Sequence, residues 1–198
     1  MNHLARTTLL VAFLVALGGC AGKDFVRPGE DAFKLGQTTY AQVVQKLGEP
    51  SKAGEVQKNG KQVKSATYSY ASTGGEPLEE GVIPARALSY FFYNDTLVGQ
   101  EFISSFKSDS SNFDEKKIDA IRKGQTTRAE AIQLMGKPSA AYVPPMVTET
   151  AGEAIGYSYV ATRGGLFAGF KFFVKVLRIS FDDRNLVSDV DYSSSGSK

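Results

Sequence analysis

The chain has 198 residues with a formal net charge of +2, no tryptophan, one histidine and one cysteine. A single thiol forbids an internal disulfide, and a near-neutral chain lacks the concentrated basic stripe of a nucleic-acid footprint, so no nucleic-acid partner is expected. His3 and Cys20 both lie near the N-terminus, which excludes histidine triads and Cys/His zinc centres from the body of the chain.

Arg6 precedes an apolar core, LLVAFLVAL (Leu9 to Leu17), that closes on small residues at LGGC. The run is shorter than the ~20 residues of a membrane-spanning helix. A charged start, a short apolar core and a small-residue exit read as an export signal over residues 1–19. Leu17-Gly18-Gly19-Cys20 resembles a bacterial lipobox. That resemblance implies cleavage before Cys20, a diacylglycerol on its sulfur and a third acyl chain on the new amino terminus. Each buried methylene adds about 0.8 kcal/mol, so several chains anchor stably where one would not. Ala21 stands where an inner-membrane retention signal would place Asp, which implies the outer membrane and its periplasmic face. Residues 20–29 then form a lipidated tether, and the stretch up to residue 33 would reach at most about 45 Å.

GEDAFK (Gly29 to Lys34) reads as a brief helix, and GQTT (Gly36 to Thr39) opens a stronger one. Thr39-Tyr40-Ala41-Gln42 fits a capping box, in which hydroxyl and amide side chains satisfy orphan backbone amides. Val43, Val44 and Leu47 form an apolar stripe; Gly48 sits where a left-handed cap belongs, with Pro50 just beyond. Tyr68-Ser69-Tyr70 and Leu88 to Val98 read as strands, with turns at Asn59-Gly60 and Asn94-Asp95-Thr96. GEVQKNGKQ (Gly54 to Gln62) only superficially suggests a phosphate loop. Its glycines are one residue too far apart and Gln62 stands where Ser or Thr should bind magnesium, so it is a hairpin tip.

KSDSSN (Lys107 to Asn112) is polar and serine-rich and marks a boundary, after which the pattern recurs. NFDEKKIDAIRK (Asn112 to Lys123) predicts a helix with Phe113, Ile118 and Ile121 on one face. GQTT returns at Gly124, a second capping box falls at Thr127-Arg128-Ala129-Glu130, and MGKPS (Met135 to Ser139) echoes LGEPS (Leu47 to Ser51). YSY returns at Tyr157, and LRISFDDRNLV (Leu177 to Val187) aligns with LSYFFYNDTLV, the spacing having grown by one residue. Asp182, Asp183 and Asp189 miss the spacing of a calcium loop, and the first two fall on a predicted turn. The expected fold is α+β: two tandem repeats, 30–108 and 109–198, each with two helices followed by three or four antiparallel strands, the helices packed on one face of the sheet.

One stretch differs between the copies. GGEPLEEGVIPARA (Gly74 to Ala87) is acidic and loop-like, whereas GGLFAGFKFFVKV (Gly164 to Val176) is basic and rich in phenylalanine. As a helix, the second would align Lys171, Lys175 and Arg178. The β-branched residues near its end favour a strand. Neighbours on a strand alternate sides, so the phenylalanines cannot all point inward. The expectation places Phe170, Phe172 and Val174 inside, and a partner or lipid contact at Phe167, Lys171, Phe173 and Lys175.

The pattern Gly-x-Thr, then Leu/Met-Gly-x-Pro, then a hydrophobic hairpin resembles the SmpA/OmlA domain of the BamE-like outer-membrane assembly lipoproteins. In its tandem arrangement it is similar to the β-lactamase inhibitor protein, whose two copies form one concave sheet. The resemblance implies a lipid-anchored periplasmic binding or scaffold protein of the outer membrane, with a role in envelope or outer-membrane protein assembly and an envelope protein as partner. The alternative it implies is an inhibitor-type module that caps a periplasmic enzyme. No catalytic residue, metal ligand or cofactor site is identified; a hydrolase built on Ser or carboxylates has nothing pointing to it.

Overall fold

The computed structural model describes residues 22–72, 74–148, 152–165 and 169–196; the export segment, Cys20 and Phe167 lie outside them. The architecture follows from its turns. Asn59 and Gly60 both take positive φ (46° and 74°), the mirror-image turn whose twist matches that of paired strands. Strand β1 (Lys52–Lys58) therefore folds straight back onto β2 (Lys61–Ala71). Asn94 and Asp95 (φ 49° and 60°) join β3 (Ala85–Tyr93) to β4 (Thr96–Ser104) in the same way. Strands β5 (Ala140–Tyr142), β6 (Glu153–Gly165), β7 (Gly169–Phe181) and β8 (Val187–Gly196) continue the meander. All eight form one antiparallel sheet in sequential order.

This corrects the expected fold class. The chain does not form two repeats, each with two helices layered on its own sheet. A single sheet runs through the molecule, and the only α-helices among the described residues are α1 (Tyr40–Leu47) and α2 (Arg128–Met135). The two segments expected as additional helices shrink to 3-10 turns, Glu30–Ala32 and Glu115–Ala120. Their flanking residues explain why. Phe33, Phe113 and Ile121 are buried anchors at or beside the extended ends of these turns. Segments this short have little intrinsic helicity, so side-chain anchoring sets the backbone.

Both capping boxes close. Thr39 Oγ1 accepts from the Gln42 amide (3.3 Å) while Gln42 Oε1 accepts from the Thr39 amide (2.9 Å); Thr127 and Glu130 repeat the exchange at 3.2 and 2.8 Å. Gly48 and Gly136 end the helices at φ 81° and 88°, positive as expected, but with ψ of −173° and −168°. That is the mirror-extended region, which is essentially reserved for glycine, and not the left-handed helical one. The carbonyls of these glycines accept from buried tyrosines, Tyr68 Oη to Gly48 (2.8 Å) and Tyr157 Oη to Gly136 (2.9 Å). Burial pushes both phenols up to about 12, so they remain donors throughout the physiological range.

The helices cover one face of the sheet. Val43 of α1 is buried in one cluster with Leu88, Tyr90 and Phe92 of the sheet, and Ala131 of α2 in another with Ile155, Leu177 and Ile179. Two features stitch these halves together besides β5. The serine-rich boundary is not a free linker: Ser111 Oγ accepts from the Ser104 amide on β4 (2.9 Å) and donates to the Ser158 carbonyl on β6 (2.6 Å). Residues 22–33 lie across the body instead of reaching away from it. Gly22 bridges to Tyr70, Arg86 Nη1 donates to the Phe25 carbonyl (2.9 Å), and Arg27 Nη2 donates to the Pro138 carbonyl (3.0 Å). The Arg27 guanidinium also lies over the Phe102 ring at 5.0 Å.

Because no atom lies within 4 Å of a Cβ built on Gly48 or Gly136, substitution there tests the backbone alone. Gly48→Ala and Gly136→Ala are each expected to cost on the order of 1–3 kcal/mol in urea denaturation. Tyr157→Phe should cost about 1 kcal/mol by orphaning the Gly136 carbonyl. Unchanged midpoints in the glycine variants would show that these caps relax freely.

Candidate functional site

Among the described residues, no helix lies on the opposite sheet face. At one end it is covered by the β5–β6 connection, where Met146 and Val143 pack with Val63, Val98 and Phe91. Elsewhere it is open, and two hollows mark it. A groove of about 280 Å³ runs across β2, β3, β4 and β6, lined by Ala71, Ala87, Ile103, Val160 and Thr162 among others. Its depth follows from composition: alanines on β2 and β3 face the bulkier Ile103 and Val160.

A second cleft, of about 340 Å³, is bounded by Glu101, Tyr142, Ser158, Val176, Arg178 and Asp191. Its floor is a tyrosine laid over two glycines. A Cβ on Gly99 would come 3.0 Å from the Tyr142 ring, and one on Gly156 would come 3.3 Å from it. Glycine at both positions is what lets the ring settle between β4 and β6. The Glu101 carboxylate accepts from Ser158 Oγ at 2.7 Å. Burial, with Glu101 beside it, pushes the Tyr142 phenol far up, so it stays neutral and a donor. Arg178 and Asp191 pair at 3.2 Å on the rim, both partly exposed. Apolar hollows ringed by hydroxyls and an opposite-charge pair suit recognition of a protein surface.

The site residues expected on β7 are divided between the two faces, with the phase reversed. Phe173 is 8% exposed and Lys175 only 3%, whereas Phe170 and Phe172 are 50% and 55% exposed. Alternation holds, but Leu177 and Ile179 set it, and counting back by twos carries 175 and 173 to the helix side. Phe173 packs with Val82, Tyr159 and Ala161. Lys175 donates to the Phe113 carbonyl and pairs with Glu115 at 2.6 Å, its ammonium 4.5 Å from the centre of the Phe113 ring. Lys171 is exposed on the far part of β7; Cys20 and Phe167 fall outside the described residues. Gly99, Tyr142 and Gly156 were not singled out from the sequence, although a glycine inside a strand signals close approach of another group. Asp182 serves its turn, accepting from the Arg184 and Leu186 amides at 3.0 Å each.

No family model matches this chain, and no curated protein matches it. Among solved structures it is similar to a "putative beta-lactamase inhibitor protein" from Streptococcus mutans, at 13% identity over 92% of this chain and 96% of that one, with a TM-score of 0.42. At so low an identity and TM-score the likeness carries no functional argument.

The β7 phase makes a direct test. Phe173→Ser is expected to cost about 3 kcal/mol, and Phe172→Ser to stay within about 0.5 kcal/mol, in chemical denaturation. Equal losses in the two variants would mean that both rings are core.

Proposed function

We propose that this chain is a lipid-anchored envelope protein of the periplasmic face of the outer membrane that binds another protein through the open face of its sheet. The observation that carries the reading is the uncovered face itself: an apolar groove at Ile103 and Val160 beside the polar cleft at Glu101, Tyr142 and Arg178. The hollows are open and of side-chain dimensions, which fits a protruding loop of a folded partner that inserts one or two apolar side chains. The Arg178–Asp191 pair on the rim supplies charges of both signs for orientation. The anchor rests on the lipobox-like Leu17-Gly18-Gly19-Cys20.

Two experiments test the two parts. Cys20→Ser is expected to release the protein into the soluble periplasmic fraction. Its firm retention in membranes after a salt wash would reject acylation as the anchor. For the face, a photocrosslinking side chain at Val160 should capture one discrete protein in intact cells, and one at Gln133 on α2 should not. Val160→Lys should then weaken binding of that identified protein by about tenfold or more with the unfolding midpoint unchanged. Equal capture from both positions would sink the assignment of the open face. A captured enzyme that loses activity when bound would favour the inhibitor-type reading over a scaffold.

A further inference from the structure

The anchored end and the exposed aromatics lie at the same end of the strands. Gly22, two residues beyond Cys20, is fixed by its bridge to Tyr70 near the end of β2. At the matching end of β3, Ala85 pairs with Ala71, and two residues earlier the Ile83 amide donates to the Thr162 carbonyl of β6 (2.7 Å). Thr162 in turn pairs with Phe172 on β7. This path crosses four strand spacings of about 4.8 Å each and about 7 Å of chain, placing Phe172 some 20–25 Å from Gly22. The β6–β7 ribbon then runs on to Gly165 and Gly169, past the last residues of β2 and β4.

On this extension Phe170 and Phe172 stand half-exposed on one side of the ribbon, while Lys171 stands exposed on the other. Such a ribbon has the amphipathic form that rests at a membrane interface, rings among the acyl boundary and ammonium among headgroups. Other charged side chains at this end are largely paired. Lys107 pairs with Glu76 (2.5 Å), Arg163 with Glu79 (2.6 Å), and Arg86 with Asp109 (3.1 Å). The end therefore offers apolar rings without a strong net field.

We infer that the β6–β7 ribbon is a second membrane contact, inserting Phe170 and Phe172 into the bilayer surface beside the acylated Cys20. The inference rests on the anchor reading for its geometry. A segment docked from Gly22 onward cannot let the body swing freely, so the anchor holds this end of the sheet against the lipid. Phe170 and Phe172 project from the same face as Thr162 and Val160, so the open face leans toward the lipid at its β6–β7 end. The contact is driven by aromatic burial, so it does not depend on anionic lipid.

The absence of tryptophan makes a clean probe. Phe170→Trp and Phe172→Trp, each purified from membranes as the full processed protein, carry a single reporter. Reconstituted in phosphatidylcholine vesicles containing bromine-labelled acyl chains, both should show blue-shifted emission and at least twofold quenching by bromine. Lys61→Trp, exposed at the opposite end of the strands, should show neither. Adding phosphatidylglycerol or raising salt should leave the quenching unchanged. Mass spectrometry of the same sample reads the state of Cys20, so loss of the anchor reading is seen separately. Vesicle-bound protein whose residue 172 probe is not quenched overturns the ribbon contact whether or not Cys20 is acylated. Shielding from acrylamide without bromine quenching also overturns it, because a protein or a second copy would then cover the rings. Protein that fails to float with the vesicles overturns both readings together.

Discussion

Three residues hold this molecule together. Strand β5, Ala140–Tyr142, pairs with β4 on one side and β6 on the other, and without it the sheet would fall into two separate ribbons. Six residue pairings are few for such a joint, and the side chains compensate. Tyr142 lies over Gly99 and Gly156, the pairing partners of Tyr142 itself and of Ala140. Any larger residue at either glycine would lift the ring and open the junction. Above the joint, Ser111 hydrogen bonds to both β4 and β6, and Ser158 Oγ reaches back to Glu101. The open face is continuous only because these contacts keep β4 and β6 within reach of each other.

Local chemistry was legible in the sequence, and long-range placement was not. The capping boxes at Thr39 and Thr127, the turn at Asn59-Gly60 and the positive φ at Gly48 and Gly136 all depend on a few neighbouring residues. Such signals survive in a sequence because the partners are three or four residues apart. The phase of β7 is different. Its apolar residues at 170, 172, 174 and 176 outnumber those on the alternate positions, so composition points the wrong way. Lys175 is buried because Phe113 and Glu115, some sixty positions earlier, meet its ammonium. A buried lysine needs such partners, and their approach is not written near residue 175.

The same logic explains the N-terminal segment. The expected tether, residues 20–29, contains Asp24 and Arg27, and the brief helix expected next contains Glu30; charged side chains such as these usually stay wet. Here Arg27 spans from the Phe102 ring to the Pro138 carbonyl, and Glu30 meets Lys137 at 3.0 Å. The surface ion pair adds little by itself. The guanidinium contributes more, because its planar stem covers an aromatic ring while its donors satisfy a backbone carbonyl. The strap thus binds both halves, adding to the work of β5 from the helix side.

The divergence that matters most is not the phenylalanine-rich segment but the stretch that follows each helix. After α1, the chain makes a seven-residue strand, a tight turn at Asn59-Gly60 and a long return. After α2, a stretch of almost the same length makes only the three residues of β5 before Pro144-Pro145 intervenes. Proline has no amide to give a ladder, so two in succession end the strand. Several of the residues released from pairing turn inward: Pro145, Met146 and Val147 are buried. Met146 and Val143 fold onto Val63 and Val98 across the open face of the first half, and the Asn59 side chain donates to the Pro145 carbonyl at 2.8 Å. A full hairpin at this position would have extended the second half alone. Shortening it frees the connection to lie on the first half, and a join between sheets becomes a join between faces as well. The covered end of the open face is therefore fixed by the same two prolines that shorten β5, which leaves Ile103, Val160 and Arg178 as the exposed middle of the sheet.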